Sequence, residues 1–185
     1  MTLIGFRSRN HPQQTRKAGI DATVDDRATT GEVFDPLQER FRFTIDVAAC
    51  EANTKLPRFY DRVTDGLGQS WARERVWCNP PFSSIAPWVA KAWRESNTEL
   101  IVMLLPANRT EQTWWRDLVE PFRDRPGSPL QVEFLPGRLR FLAPGATRVG
   151  ANERPPFGCC LLIWNREQPS VASLFDDHND TAGLS

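Results

Sequence analysis

The run Val76-Trp77-Cys78-Asn79-Pro80-Pro81-Phe82-Ser83 constrains this chain more than any other stretch. A short apolar strand ends in two consecutive prolines, and a helix start follows. Paired prolines suit neither a strand interior nor a helix interior, because they lack an N–H and fix φ. They impose a rigid, extended turn at a strand's carboxyl end, where open α/β sheets place their ligands. The turn holds an amide (Asn79), a carbonyl (Pro80) and an aromatic ring (Phe82) in fixed relation. That set suits the grip of a planar –NH2 group while a flat ring stacks on Phe82. The Asn79 side-chain oxygen and the Pro80 carbonyl can accept both N–H bonds of an exocyclic amine. Accepting both draws the nitrogen toward tetrahedral geometry and frees its lone pair for attack on an electrophilic methyl group. An ordinary strand-to-helix turn uses the same residue types, so the flanking sequence has to decide.

Along the chain, residues 1–28 carry no sustained periodicity and read as a mobile arm. Thr29 or Thr30 caps a helix over Glu32 to Phe41, with Val33, Phe34, Leu37 and Phe41 on one face. Strands are expected at Phe43 to Val47, Arg58 to Asp61 and Arg75 to Cys78. Ser83 or Ser84 caps a helix to about Glu95, with Pro87 in its first turn. Leu100 to Leu105 is apolar throughout, as a strand buried on both faces would be. A helix from Thr110 to Val119 follows, then a loop from Pro121 to Pro129 and strands at Gln131 to Leu135, Leu139 to Leu142 and Cys159 to Trp164. Alternating strands and helices predict a single α/β domain over 29–165 with a mostly parallel, doubly wound sheet. Late strands without an intervening helix predict antiparallel edge strands. Residues 166–185 read as an acidic, frayed tail.

The ordered motifs resemble one family. Asn79-Pro80-Pro81-Phe82 is similar to the catalytic tetrapeptide of amino-methyltransferases, which act on adenine N6, cytosine N4 or a glutamine amide. The wider set resembles the phage-type DNA N6-adenine methyltransferases. It comprises Asp25 to Thr30 with Val33 to Leu37, Phe43 to Ala49, Asp65-Gly66-Leu67 ahead of Trp71, and Trp77 to Phe82 with Trp88-Val89. Leu104 to Ala107, Trp114-Trp115 and Gly137 to Phe141 continue it in order. The resemblance implies a Rossmann-like methyltransferase domain, S-adenosylmethionine as cofactor, and DNA adenine N6 as the methyl acceptor. It also implies catalytic roles for Asn79, Pro80, Pro81 and Phe82, with the target base flipped onto Phe82. It puts the methionine part of the cofactor beside Asp46, Val47, Ala48 and Ala49, and its carboxylate near Thr29, Thr30 and Gly31. The family often has Thr-Pro at that last place; here Gly31 stands for the proline. Most amino-methyltransferases also have a Gly-rich turn after the first strand, and this chain has no Gly between Asp46 and Asp65.

Each cofactor residue has a structural alternative. Asp46 can cap the segment after its strand. Asp65 can accept a hydrogen bond from the cofactor's adenine amine or ribose, or simply shape the turn before Gly66. No catalytic base is needed, because the amine is strongly acidic once methylated. The only histidines, His11 and His178, lie in the arm and tail. Cys50, Cys78, Cys159 and Cys160 form no Cys-x-x-Cys pair, so neither zinc nor a disulfide framework is expected. No transmembrane window or leader is visible. A cytoplasmic protein of phage or prophage origin is expected, acting as a monomer or weak homodimer.

Formal net charge is zero, which argues against a chain that coats DNA through bulk charge. The basic residues are nevertheless 20 Arg against 3 Lys, and Arg suits bidentate phosphate contact. Arg109, Arg116, Arg123, Arg125, Arg138, Arg140, Arg148 and Arg154 fall on later loops, as solvated charge or as phosphate contacts around an extruded base. Trp114 and Trp115 cannot both face one way on a helix, so one is a candidate for an exposed stacking surface. Rival functions are methylation of a protein glutamine, an RNA adenine or cytosine N4. A non-catalytic nucleic-acid-binding relative is a further rival.

Overall fold

The structure is a computed structural model that describes residues 28–142, 146, 148 and 157–166. The elements run β1 (Ala28–Thr29), α1 (Gly31–Phe41), β2 (Ile45–Asp46), β3 (Arg75–Cys78), α2 (Ala86–Arg94), β4 (Leu100–Pro106), α3 (Thr113–Leu118), β5 (Leu130–Phe134), β6 (Phe141–Leu142) and β7 (Cys159–Asn165). Five strands form one mixed sheet in the order β2-β3-β4-β7-β5. β2, β3 and β4 are parallel; β7 runs antiparallel to β4 and to β5. The antiparallel pairs expected late in the chain are therefore present. The reversed strand is β7, one position in from the edge, and β5 forms the edge itself.

Burial on both faces explains the sequence of the central strands. Every residue of β4 is buried, as are Cys159 to Trp164 of β7. One face packs Val76, Ile101, Met103 and Leu105 against Trp88, Val89 and Ala92 of α2 and Trp114 and Trp115 of α3. The other packs Val102, Leu104 and Leu161 against Phe34, Leu37 and Phe41 of α1, and against Phe141 of β6. The α1 residues lie three and four apart, so one apolar stripe meets the sheet.

Several boundaries differ from expectation for local reasons. Thr30 is the N-cap of α1 through its extended backbone, without a side-chain bond, and its carbonyl accepts the N–H groups of Val33 and Phe34. Ile85, not Ser83 or Ser84, precedes α2, and no side chain caps it. The strand expected at Arg58 to Asp61 shrinks to a single bridge between Asp46 and Phe59. Backbone bonds still join Arg58 and Tyr60 to Asp46 and Ala49, and from Asp61 on the Asp61 and Thr64 side chains bind the backbone of their own turn and end the pairing. Ala28, read as the end of the arm, pairs with Leu142. The rest of the arm, the tail beyond Arg166 and both histidines lie outside the described residues.

Candidate active site

The site is built at the carboxyl edge of the parallel strands. Asp46 of β2 is in register with Trp77 of β3, and the Val47 N–H donates to the Trp77 carbonyl at 3.1 Å. β2 ends there, so the segment after it starts beside the carboxyl end of β3. On the other side, Cys78 is in register with Met103 of β4, and β4 ends at Pro106. The loops after β2, β3 and β4 thus share one edge of the sheet.

Asn79 is half-buried, and its side-chain oxygen is shielded from solvent. Pro80 is buried. The Pro81 carbonyl accepts the Ser84 N–H at 3.0 Å, whereas the Pro80 carbonyl accepts no hydrogen bond among the described residues. The amide oxygen and the Pro80 carbonyl are thus adjacent acceptors on a turn whose φ angles the prolines fix. The Phe82 ring is half-buried and meets Phe141 and Phe157 edge-on, with ring centroids 6.0 and 6.1 Å apart. The Phe82 carbonyl accepts a hydrogen bond from the Arg109 guanidinium.

Asp46 is buried at 3% exposure. Its carboxylate accepts the Lys55 N–H at 3.2 Å and the Ala48 N–H at 3.3 Å. Burial pushes its pKa up to about 6, and the two N–H bonds oppose that rise. These are the contacts of a cap, and they also fix a buried carboxylate where β2 opens toward Asn79. Burial and the neighbouring Asp46 charge push the Cys78 thiol well up, so it is an inert packing residue.

Asp65 is exposed, has φ 53°, and accepts the Leu67 N–H at 3.2 Å, as a turn residue does. The turn is nevertheless tied to the site. Gly66 packs so closely on β2's end that an added Cβ would lie 2.0 Å from the Val47 carbonyl oxygen. The Trp71 indole N–H also holds the Gly66 carbonyl at 2.9 Å.

Thr29 and Thr30 are buried at the amino end of α1. Thr29 is in register with Phe141, whose ring meets Phe82, so this helix end joins the tetrapeptide through one aromatic contact. The Thr29 hydroxyl is buried without a hydrogen-bond partner among the described residues. An orphan hydroxyl beside a helix amino end fits an anionic group such as an amino-acid carboxylate. A buried carboxylate at Asp46 fits a cationic one. The residues present therefore fit S-adenosylmethionine, which carries both charges.

Two expectations from sequence are corrected. Trp114 and Trp115 are both buried, so neither offers an exposed stacking face. Their indole N–H groups are held by Gln112 and Glu120. Adjacent helical residues diverge by roughly 100°, and an apolar stripe can be that wide. Arg109 is not a solvated loop charge: it is 5% exposed and reaches into the site. The signal for it was its place, three residues past the end of β4. The remaining loop arginines divide. Arg116 pairs with Asp117, and Arg123 with Glu120 and Asp124. Arg138, Arg140 and Arg148 are exposed without a carboxylate partner among the described residues. Arg154 lies outside them. No group of His, Cys, Asp or Glu among the described residues could hold a metal ion, and no helix there is long and apolar enough to cross a membrane.

Comparison with known proteins supports the family resemblance. Residues 17–180 match the DNA N-6-adenine-methyltransferase (Dam) family. The DNA N-6-adenine-methyltransferase of Escherichia phage T1 is 36% identical over 93 residues, covering 49% of this chain and 39% of the phage protein. That of Haemophilus phage HP1 is 34% identical over 95 residues, covering 49% of this chain and 54% of the phage protein. The match thus spans about two-fifths and about half of these relatives' lengths. With the family match running through nearly the whole sequence, the chain belongs to the DNA N-6-adenine-methyltransferase (Dam) family.

Proposed function

We propose that this chain methylates adenine N6 in DNA at specific sites, using S-adenosylmethionine. The observation that carries the reading is that Asn79-Pro80-Pro81-Phe82 directly follows the carboxyl end of β3, beside the end of β2, where the Val47 N–H donates to the Trp77 carbonyl. The catalytic unit is a Rossmann-like domain over 29–165, with the flanking segments as arm and tail. The bound cofactor supplies the electrophilic methyl group. Asp46, Ala48, Asp65 and Thr30 hold and orient it: Asp46 by charge, Ala48 by its small size, Asp65 as an acceptor, and Thr30 through the amino end of α1.

The acceptor adenine is extruded from its helix and stacks on Phe82. Asn79 and Pro80 accept its two amine N–H bonds, Pro81 stiffens the turn, and rate comes from proximity and polarisation. No side chain removes a proton before transfer. Arg138 and Arg140, which precede Phe141, and Arg148 are exposed and suit phosphates near the extruded base. The protein is proposed to work in the cytoplasm of a phage-infected or lysogenic bacterium, as a monomer or weak homodimer. The test is transfer of labelled methyl groups to DNA, RNA and protein acceptors in parallel. Label confined to DNA, recovered as N6-methyladenine, supports the reading. Label in protein or RNA alone replaces it with one of the rival acceptors.

A further inference from the structure

We infer that Arg109 is a positioning residue that fixes the aromatic end of the tetrapeptide. The two prolines lock φ at positions 80 and 81, and the Ser84 N–H holds the Pro81 carbonyl, so the next torsions to fix are those of Phe82. These torsions set both the Phe82 ring and the peptide plane leading to Ser83. The Arg109 guanidinium donates a hydrogen bond to the Phe82 carbonyl, across 27 positions of sequence, from the segment after β4. At 5% exposure, Arg109 is among the few buried charged residues described, beside Asp46 and Lys91. Lys91 pairs with Glu95 at the end of its own helix and lies over the Trp71 ring.

A guanidinium stays charged even when buried and offers a fork of fixed donors. Withdrawing such a charge from water is costly unless its geometry is well satisfied. Directing one of those donors at a backbone carbonyl of the substrate-gripping turn fixes that carbonyl against movement. The Ser84 N–H bond to Pro81 holds the turn from within, and Arg109 holds it from the segment that follows β4.

The inference rests on the proposed methyl transfer, yet the clamp can be read without any activity. Native-state hydrogen exchange of the full chain, resolved to the amides of residues 82–85, compares the wild type with R109M and R109K. R109M should speed exchange in that segment selectively and leave the β4 amides at wild-type rates. R109K keeps one charged donor and should restore part of the protection. With S-adenosylmethionine and DNA, R109M should lose about a hundredfold in kcat, the scale of a misplaced reacting group. Its cofactor Kd should be unchanged. Should R109M fail to fold, R109K carries the test, with intermediate exchange and intermediate kcat. Wild-type exchange at 82–85, or a uniform rise throughout the chain, overturns the clamp. A wild type that shows no transfer, with exchange still selective, overturns the function and leaves the clamp standing.

Discussion

Asp46 stands in register with Trp77 across the parallel β2–β3 pair, and that one pairing sets the geometry of the site. β2 ends at Asp46 and β3 at Cys78, so residues proposed for the cofactor and for the acceptor amine follow adjacent strand ends. The buried Asp46 carboxylate is fixed by two backbone N–H groups of its own loop.

Asp46 has a signature in stability against pH. Its folded pKa, about 6, lies above the unfolded value of 3.8. The folded state therefore favours the protonated form, and this stabilisation is lost as pH rises from about 4 to about 6. The pH-dependent part is on the order of 3 kcal/mol. Denaturant unfolding of wild type and Asp46→Asn at about pH 4 and about pH 8 checks it. The wild type should lose stability relative to the variant as pH rises. Parallel curves for the two proteins would show that Asp46 is not held in this state.

The same residue separates a cap from a cofactor ligand. S-adenosylmethionine should raise the melting temperature by mass action. Asp46→Ala should weaken that ligand's affinity sharply, as measured by calorimetry. An unchanged Kd would leave Asp46 with only its contacts to Ala48 and Lys55.

Asn79→Ala removes one of the two acceptors proposed for the amine. Loss of one such polarising bond in a water-poor site costs about 10²–10³ in kcat. Cofactor Kd should stay near the wild-type value. Near-normal turnover by the variant would refute the grip.

Phe82→Ala should cost about 1–3 kcal/mol of base stacking. Phe82→Trp keeps a π-face and should retain much of the affinity. An adenine in a mismatch is easier to extrude and should bind more tightly than a paired one. Equal affinity for paired, mismatched and abasic duplexes, unaffected by either substitution, would mean that no base enters the pocket.

Gly66 tests the packing that brings the Asp65 turn to the site. A Cβ there meets the Val47 carbonyl at 2.0 Å, so Gly66→Ala must push the turn or the end of β2 aside. Such overpacking costs about 1–3 kcal/mol, and cofactor affinity should fall with it. A variant with unchanged unfolding and binding would argue that the turn moves freely.

The sequence was most legible where one local rule decided the structure. The apolar run at β4 and the strand before Pro80-Pro81 were found at nearly their observed bounds, since burial on both faces and paired prolines leave little choice. The stretch after β2 was less legible. Only Arg58 and Tyr60 bond back to Asp46 and Ala49; the bonds on either side go to Asn53, Asp61 and Thr64 side chains within their own turns, so the pairing stays too short for a strand. The edge position of β5 beyond β7 depends on long-range pairing that no local signal encodes. Arg109 escaped for the same reason. A charged loop residue reads as solvated until β3 and β4 are placed side by side, and only then does it meet Phe82.

The most direct measurement is mass spectrometry of nucleosides from DNA incubated with the purified chain and methyl-labelled S-adenosylmethionine. Wild type, Asn79→Ala and a no-enzyme control would be run together. The account predicts labelled N6-methyladenine with the wild type, lowered by about 10²–10³ in rate in the variant. Label appearing as N4-methylcytosine, or at equal rates in wild type and variant, or not at all while the cofactor binds, would contradict it.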